Sequence, residues 1–251
     1  MSTRDEHAPD VPDVDLRAVA GLGPLSARQP LSRERIVDVA VHFIDTHGLP
    51  GLTMRRLGNE LGVEAMALYR YVPGKEELLD AVVEKLVERM ESDDDVLGRP
   101  RDGWQDFLIR LAHGVRRVAL EHPKAFPLVA SRPPEAPWLR PPLRSLDWVE
   151  TFLTGLIDEG FGDTAAVAAY RAYTSFLLGH LLLEVSTHGA DLGPLDELDD
   201  GSGDDDGVLA HPTVRRLRAE LSEDHAATEF EDALEELLGR LTLLRTEHLE
   251  S

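Results

Sequence analysis

The sequence predicts an all-α protein, and three observations support this fold class. Apolar residues recur every three or four positions in successive segments, which is the period of an amphipathic helix. The alternation of apolar and polar residues that is typical of a half-buried strand appears nowhere. Glycine and proline fall between the periodic segments, where they end helices. These patterns predict an N-terminal three-helix domain joined by a long helix to a larger C-terminal helical domain.

The N-terminal region is expected to contain an arm followed by a compact domain. Residues 1–30 combine four prolines with acidic residues and show no sustained apolar period, so we expect a disordered arm. Helical periodicity begins at Ser32, continues through Ile36 and ends at Gly48. This segment is the first helix of a predicted domain that spans residues 31–75.

Two short helices and one long helix follow the first helix. Thr53 is placed to cap a short helix that Gly62 ends, and Val63–Tyr71 is expected to form the second short helix. Pro73 and Gly74 precede the long helix. The apolar face of the long helix carries Leu79, Val82, Val83, Leu86 and Met90.

Residues 76–251 are expected to form the C-terminal domain. A short irregular piece lies between Pro123 and Pro127, and breaks occur at residues 93–102, 133–142 and 191–207. The predicted helices of this domain span about residues 104–118, 144–159, 164–188, 212–221 and 226–248. The helix at 164–188 is apolar on nearly all sides, which indicates that other helices pack on two of its sides.

The composition excludes several classes of protein. The 251 residues, 42% of them hydrophobic, are enough for one large or two modest domains. The absence of cysteine excludes disulfides, thiolate metal sites and a cysteine nucleophile. The most apolar stretch, Phe176–Val185, is too short to cross a bilayer, and the N-terminus lacks the pattern of a signal peptide. We therefore expect a cytoplasmic protein without a membrane partner.

The charge is unevenly distributed along the chain. The net charge of -21 argues against a nucleic-acid partner when it is averaged over all residues. The segment from Arg28 to Lys75, however, contains seven basic and five acidic residues, so its net charge is +2 and that of the remaining sequence is -23. This division suits a protein that presents only one end to DNA.

The strongest local signal is the segment Met54–Tyr71, which has the pattern of a helix-turn-helix. The second helix of this motif enters the major groove, and the two helices cross at roughly 90–120° through a tight turn. Gly58 has no side chain where the helices approach, and Gly62 can take a positive φ in the turn. An ordinary helical hairpin built from the same residues remains the alternative.

This segment resembles the tetracycline-repressor (TetR) family of regulators. The resemblance extends from Leu31 to about Met90 and is carried by Gly48–Leu57 and Leu68–Leu79. It implies a fold of nine or ten helices, with a DNA-binding head and a dimeric regulatory domain. A weaker similarity to the tetracycline repressors themselves is carried by Gly103–Leu108, Ser131–Pro133 and Gly179.

The resemblance also implies which residues contact double-stranded operator DNA. The turn at Thr53 can bring backbone N–H groups to a phosphate, Arg55 can reach a phosphate or a base edge, and Lys75 meets the DNA backbone. Helix capping, a solvated charge and simple packing of the tyrosines remain the alternative roles. The residues expected to face the groove are Glu64, Ala65, Met66, Ala67, Tyr69 and Tyr71.

Three of these residues depart from the tetracycline repressors. Ala65, Met66 and Ala67 stand where those proteins have polar side chains that read bases. Their methyl groups suit contacts with the C5-methyl of thymine. We therefore expect few direct base contacts and a larger share of recognition through DNA shape.

The regulatory domain is expected to bind an effector and to form a homodimer. The helices at 164–188 and 226–248 would form a four-helix bundle with their two-fold mates, so that the operator is a near-palindrome. The residues expected to line a pocket are Leu86, Met90, Trp104, Leu111, Val115, Leu128, Trp148, Tyr170, Tyr173 and Leu183. Polar groups for specificity would come from His113, Tyr170, Tyr173 or Ser175.

The expected effector is an apolar or aromatic organic molecule. Tetracycline repressors use histidine, asparagine and glutamate to hold a magnesium-chelated drug. This chain has Glu91, Leu111, Val115, Leu128 and Leu183 at those positions. Such a set cannot build the chelate site. We expect no cofactor.

Two other classes of protein are the rivals of a DNA-binding repressor. One is a helical small-molecule-binding protein that has lost DNA binding, and the other is a helical enzyme. The chain lacks a nucleophile elbow, a phosphate loop and a dinucleotide fingerprint, which argues against an enzyme. The basic and aromatic residues Arg55, Arg56, Tyr69 and Lys75 favour the DNA-binding protein over its ligand-binding rival.

One metal site is conceivable. His180, Glu184 and His188 follow one another at intervals of four residues on one helix face, a spacing that metal ligands can use. Exposure to solvent or to a dimer rim is the favoured interpretation of these three residues. The acidic run at 199–206 lacks the glycine and glutamate positions of a calcium loop.

Overall fold

The computed structural model describes residues 30–92, 100–131, 136, 138–141, 145–190 and 211–249. These residues form eleven α-helices and a short 3₁₀ turn, and they contain no strand, so the predicted all-α fold is confirmed. The predicted disordered arm, residues 1–30, lies outside the described residues except for Pro30, and so does the predicted flexible segment at 191–207.

Three helices and the start of a fourth form the N-terminal head. They are α1 (Arg33–His47), α2 (Met54–Leu61), α3 (Ala65–Leu68) and α4 (Lys75–Glu91). The 3₁₀ turn Leu49–Gly51 joins α1 to α2.

The ends of α1 and α2 are set by local hydrogen bonds and by glycine. The Ser32 and Thr53 hydroxyls each accept a hydrogen bond of 3.2 Å, from the backbone N–H of Arg35 and of Arg56 respectively. Gly62 ends α2 with φ 68° and ψ 30°, the left-handed conformation that glycine adopts without strain. The predicted caps at both ends of α2 are therefore confirmed.

The second helix of the motif is shorter than predicted. The expectation was a helix over Val63–Tyr71, but α3 ends at Leu68. The Leu68 carbonyl then accepts hydrogen bonds from the N–H groups of Tyr71 and Val72, which closes a turn. Pro73 disfavours helical backbone at the residue before it, so the chain leaves the helix ahead of the proline.

Close backbone approach fixes the arrangement of α2 and α3. A methyl group at Gly58 would lie 2.8 Å from the Val63 carbonyl oxygen. Leu57, Leu61 and Leu68 are buried between these helices and the rest of the head. A small residue at position 58 is thus required for the two helices to pack at this distance.

Seven helices follow α4. They are α5 (Trp104–Glu121), α6 (Pro127–Ser131), α7 (Leu146–Asp158), α8 (Asp163–Thr187), α9 (Pro212–Arg216), α10 (Arg218–Leu221) and α11 (Ala226–Leu249). The prediction of one helix over residues 212–221 was wrong, because the chain leaves helical geometry at Leu217 between α9 and α10. The prediction also missed α6, which begins at Pro127, a residue suited to the first helical position.

Two central helices organise the packing. The long helix α8 packs against α5, α7 and α11, while α4 packs against α1, α5 and α6. Helix α4 therefore joins the head to the remaining helices. Within the described residues, no helix has the length and apolarity needed to cross a membrane.

Candidate DNA interface and effector pocket

The outer surface of α3 and of the turn that follows it carries large apolar side chains that are open to solvent. Met66 is 75% exposed, Tyr69 is 42% exposed and Tyr71 is 41% exposed. Ala65 and Ala67 on the same helix are half-buried. Because exposed apolar residues clustered on one surface are typical of a contact with a partner, these side chains form a candidate recognition surface.

Polar and charged residues flank this surface. Thr53, Arg55 and Glu64 are exposed, and Lys75 is half-buried at the first position of α4. The Thr53 hydroxyl caps α2, so capping, which was the alternative role for this residue, is present. The predicted DNA-contacting residues therefore lie at the N-terminal ends of α2 and α4, along α3 and in the turn that follows α3.

Arg56 has a structural role instead. Its guanidinium donates a hydrogen bond of 2.9 Å to the Gly51 carbonyl oxygen and lies 4.9 Å from the centre of the Phe43 ring. These contacts hold the 3₁₀ turn against α1. Both arginines are exposed, but the Arg56 guanidinium is engaged in these structural contacts, and its use as a sign of DNA binding stays a prediction.

A small cavity lies between the helices that follow the head. Its volume is about 30 Å³, which is room for about one water molecule. Three of the ten predicted pocket residues, Met90, Val115 and Trp148, line its wall. The wall is completed by residues from α4, α6, α8 and the N-cap of α7, namely Val87, Val129, Ser145, Thr174, Leu177 and Leu178.

Six of the remaining predicted pocket residues are buried in the core outside the cavity wall. Leu86, Leu111 and Leu128 fill the core. Trp104 packs edge-on against Phe161, with 5.1 Å between ring centres. The other two, Tyr170 and Tyr173, have hydroxyls that bond to backbone carbonyls.

Leu183 is the clear exception among the predicted pocket residues. It is 70% exposed, so it cannot line an interior pocket of one chain. The single chain therefore does not place Leu183 in the cavity wall, and its ligand role stays a prediction. Helix α8 is apolar on nearly all sides, so its sequence does not indicate which side faces inward.

The four polar residues that were expected to set effector specificity do not line the cavity wall. Tyr173 donates a hydrogen bond of 2.7 Å to the Leu108 carbonyl, and Tyr170 donates one of 3.0 Å to the Pro141 carbonyl. Burial raises the pKa of the Tyr170 phenol to about 12 and raises that of Tyr173 well above its ordinary value, so both phenols remain protonated donors. Ser175 is exposed, and the His113 side chain lies 3.5 Å from Glu231.

Thr174 and Ser145 are the hydroxyl groups that the cavity wall does contain. Sequence reasoning missed both. Thr174 directly follows Tyr173 on the helix that is apolar on nearly all sides, and only the tyrosine was assigned to the pocket. The signal available in the sequence was a hydroxyl residue, Thr174, within this apolar helix.

Glu184 takes part in an ion pair and is not free to bind a metal. Its carboxylate accepts hydrogen bonds of 3.0 Å and 2.5 Å from the Arg116 guanidinium. The bond to Glu184 raises the pKa of Arg116. The expectation that Glu184 is exposed to solvent or to a dimer rim was wrong, because its side chain is 3% exposed.

The two histidines near Glu184 also make no metal cluster. The His180 ring lies 5.2 Å from the Phe230 ring, and His188 is exposed. The described part of the chain contains no group of three metal-ligating side chains placed to bind an ion.

Two family models match the chain and together cover most of the described helices. Residues 36–82 match the bacterial regulatory proteins of the tetR family, and residues 98–238 match the tetracyclin repressor-like C-terminal domain. The chain belongs to the TetR family. The predicted helix-turn-helix lies within the matched residues 36–82, and the names of the relatives are those of transcriptional regulators.

Two of the relatives are named as repressors. The chain is 35% identical over 149 residues to the HTH-type transcriptional repressor DrrR1 of Streptomyces coeruleorubidus, which covers 59% of this chain and 52% of that protein. It is 32% identical over 163 residues to the class D tetracycline repressor of Escherichia coli, covering 64% of this chain and 70% of the repressor. The chain thus spans about half of DrrR1.

A solved structure shows the same fold along its whole length. A possible TetR family transcriptional regulator from Streptomyces coelicolor A3(2) superposes with a TM-score of 0.66 at 30% identity. The match covers 85% of this chain and all of that one. The arrangement of a helix-turn-helix head on a helical C-terminal domain is therefore the fold of this TetR-family chain.

Proposed function

We propose that this TetR-family protein is a repressor that binds a near-palindromic operator as a homodimer and is released by a small apolar or aromatic effector. The observation that carries the proposal is the exposed surface of α3, with Met66 75% exposed beside the exposed Arg55. A head whose recognition helix were only structural would bury these side chains. The family is bacterial, so the operator and the protein would meet in the cytoplasm.

The head offers separate groups for the DNA backbone and for the bases. Arg55 and Lys75 supply cations for phosphates. Met66 supplies a thioether methyl for the thymine methyl group, and the hydroxyls of Tyr69 and Tyr71 supply hydrogen-bond donors. Operators rich in A·T pairs at the α3 contact fit this set of residues best.

Homodimerisation through α8 and α11 would cover apolar surface that one chain leaves open. These helices pack against each other, and both carry exposed apolar side chains. Val167 is 38% exposed, Leu183 is 70% exposed and Leu243 is 63% exposed. A two-fold interface that buries them explains why Leu183 points away from the chain's own core.

The cavity wall supports an apolar effector rather than a chelated metal complex. No charged side chain lines the wall among the described residues, so it offers no ligand for a magnesium ion. At about 30 Å³ the cavity is far smaller than the roughly 300–1,000 Å³ of a typical ligand site. Effector binding must therefore move the helices that enclose it, including α4, which joins the head to the regulatory helices.

Related structures contain different ligands. The class A tetracycline repressor, with a TM-score of 0.57 at 23% identity, is known in complex with 5a,6-anhydrotetracycline and magnesium. ActR of Streptomyces coelicolor, with a TM-score of 0.62 at 22% identity, is known in complex with actinorhodin. The apolar wall of this chain favours an organic ligand without a metal.

Selection of bound DNA from a random library tests the DNA-binding proposal. Recovery of a near-palindrome whose half-sites are centred one helical turn, about 34–36 Å, apart would support it. Absence of any enriched sequence would contradict it. Sedimentation of the same sample tests the dimer, and a monomer at micromolar concentration would contradict the proposed interface.

Titration of magnesium–tetracycline into the operator complex tests the effector class. The complex should survive micromolar drug, because the wall cannot coordinate the metal. Release at that concentration would overturn the assignment of an apolar effector, while the DNA-binding proposal would stand.

A further inference from the structure

Two acidic residues of the head have no partner within the part of the chain that the structure describes. Of the five acidic residues between positions 30 and 75, three contact a basic side chain of another segment. The other two, Glu60 of α2 and Glu64 directly before α3, are exposed, and their carboxylates make no hydrogen bond or ion pair with the described residues. Glu64 stands two positions before Met66, which is 75% exposed on the candidate recognition surface.

The backbone on both sides of Glu64 is fixed by hydrogen bonds. The N–H of Val63 donates a bond of 2.9 Å to the Gly58 carbonyl oxygen, and the N–H of Ala67 donates one of 2.9 Å to the Glu64 carbonyl oxygen. The Glu64 side chain does not cap α3. Its carboxylate therefore has no structural role among the described residues, while its position relative to α3 is already set.

A carboxylate on a DNA-binding surface has an electrostatic cost. A duplex carries one phosphate charge about every 1.7 Å along its axis, so an acidic side chain near the groove is repelled whatever the base sequence. A contact that favours one base can offset this repulsion at the operator alone. The carboxylate would then lower the affinity for other sequences more than the affinity for the operator.

The pattern of donors on the bases determines which base a carboxylate can accept from. In the major groove only the N4 amino group of cytosine and the N6 amino group of adenine donate hydrogen bonds. Adenine presents its N7 acceptor beside N6, and this lone pair repels a carboxylate, whereas the cytosine edge carries no acceptor. Cytosine is therefore the base that suits an acidic side chain.

We propose that Glu64 is a specificity-determining residue whose carboxylate accepts a hydrogen bond from N4 of a cytosine in each half-site of the operator. This inference rests on the proposed function, since it requires α3 to enter the major groove. It adds one C·G pair to a contact that Met66 otherwise fits to thymine.

Selection from a random duplex library with the full chain tests the inference. The wild-type half-site should contain one position at which cytosine is preferred by about tenfold, which is the discrimination of a good base contact. Glu64→Gln should change the preferred base at that position to adenine, because an amide pairs with N6 and N7 of adenine. Glu64→Ala should remove the preference and should bind unrelated duplexes more tightly than the wild type does.

Glu60→Gln is the matched control, because it removes the same charge from an exposed position of α2. It should leave the selected sequence unchanged. Thermal melting establishes that each variant is folded.

A modified base gives a second readout that needs no variant. N4-Methylcytosine still pairs with guanine, but its methyl group replaces the N4–H that faces the major groove. A selected duplex with this base at the assigned position should bind the wild-type protein about tenfold more weakly than the unmodified duplex. Glu64→Ala should bind the two duplexes equally.

The outcomes separate this inference from the proposed function. The same half-site sequence for the wild type and both Glu64 variants, or a change of preferred base that Glu60→Gln shares, would overturn the role of Glu64 while DNA binding stands. Undiminished wild-type binding to the methylated duplex would overturn that role as well. Enrichment of no sequence by the wild type would overturn the DNA-binding proposal itself, and this inference with it.

Discussion

His122 Nδ1 lies 2.7 Å from Asp45 Oδ2, which joins the residue after α5 to helix α1 of the head. Arg89 of α4 contacts the other ring nitrogen of His122. A carboxylate accepts hydrogen bonds, so the Nδ1–H group donates to Asp45. His122 thus connects the N-terminal head to two helices whose other residues line the cavity.

His122→Ala should reduce the free energy of unfolding by about 1–3 kcal/mol, because it leaves the part-buried Asp45 carboxylate without this donor. Urea denaturation monitored by circular dichroism measures the change. His42→Ala, at an exposed position of α1, should have little effect. An equal loss in both variants would show that the bond to Asp45 does not stabilise the protein.

Lys75→Ala should weaken binding to every DNA sequence by a similar factor, because the proposed contact is with phosphate. The slope of log K against log salt concentration should fall by about 0.9 for one lost contact. Fluorescence anisotropy at several salt concentrations measures this slope. Arg215→Ala, in α9, is the control, and an unchanged slope in Lys75→Ala would place Lys75 away from the DNA.

Gly58→Ala should destabilise the head by about 1–3 kcal/mol, since the new methyl group would lie 2.8 Å from the Val63 carbonyl oxygen and force α2 and α3 apart. The affinity of the Gly58→Ala variant for the operator should fall as well, because the orientation of α3 depends on its packing against α2. Glu60→Ala, at an exposed position of the same helix α2, is the control. Chemical denaturation and operator titration of both variants measure the effects, and normal operator binding by Gly58→Ala would contradict the packing argument.

Glu184→Gln should cost about 3–5 kcal/mol of stability, because it leaves the Arg116 guanidinium without its buried counter-charge. Arg116 also lies 5.1 Å from the centre of the Phe230 ring, so α5, α8 and α11 all depend on its position. The double variant Arg116→Met, Glu184→Leu should recover most of the loss, because it removes both charges together. Urea denaturation of the single and double variants measures the interaction energy between Arg116 and Glu184. Losses of stability that simply add would contradict this ion pair's contribution.

Local signals in the sequence were sufficient for the elements of the head. The caps at Ser32 and Thr53, the left-handed Gly62 and the period of apolar residues act within a few positions, so each can be recognised without knowledge of the rest of the fold. Even there, the length of α3 was overestimated, because the turn after Leu68 competes with the helix.

The candidate pocket was only partly predictable. Met90, Val115 and Trp148 were identified as wall residues, whereas Thr174 was missed and Leu183 is exposed on the single chain. A periodic pattern reveals an apolar face when the opposite face is polar. Helix α8 has no such contrast, so its rotation is decided by the helices that pack on it.

The sequence by itself determined that the chain is all-α, that its head is a helix-turn-helix and that it resembles TetR-family regulators. Only the tertiary structure decided that Glu184 pairs with Arg116, that His122 bonds to Asp45 and that Trp148 and Thr174 share a cavity. The 77 positions between Asp45 and His122 illustrate the reason. Helix propensity and capping act over neighbouring residues, but pairing between distant side chains depends on how whole helices pack and rotate against one another.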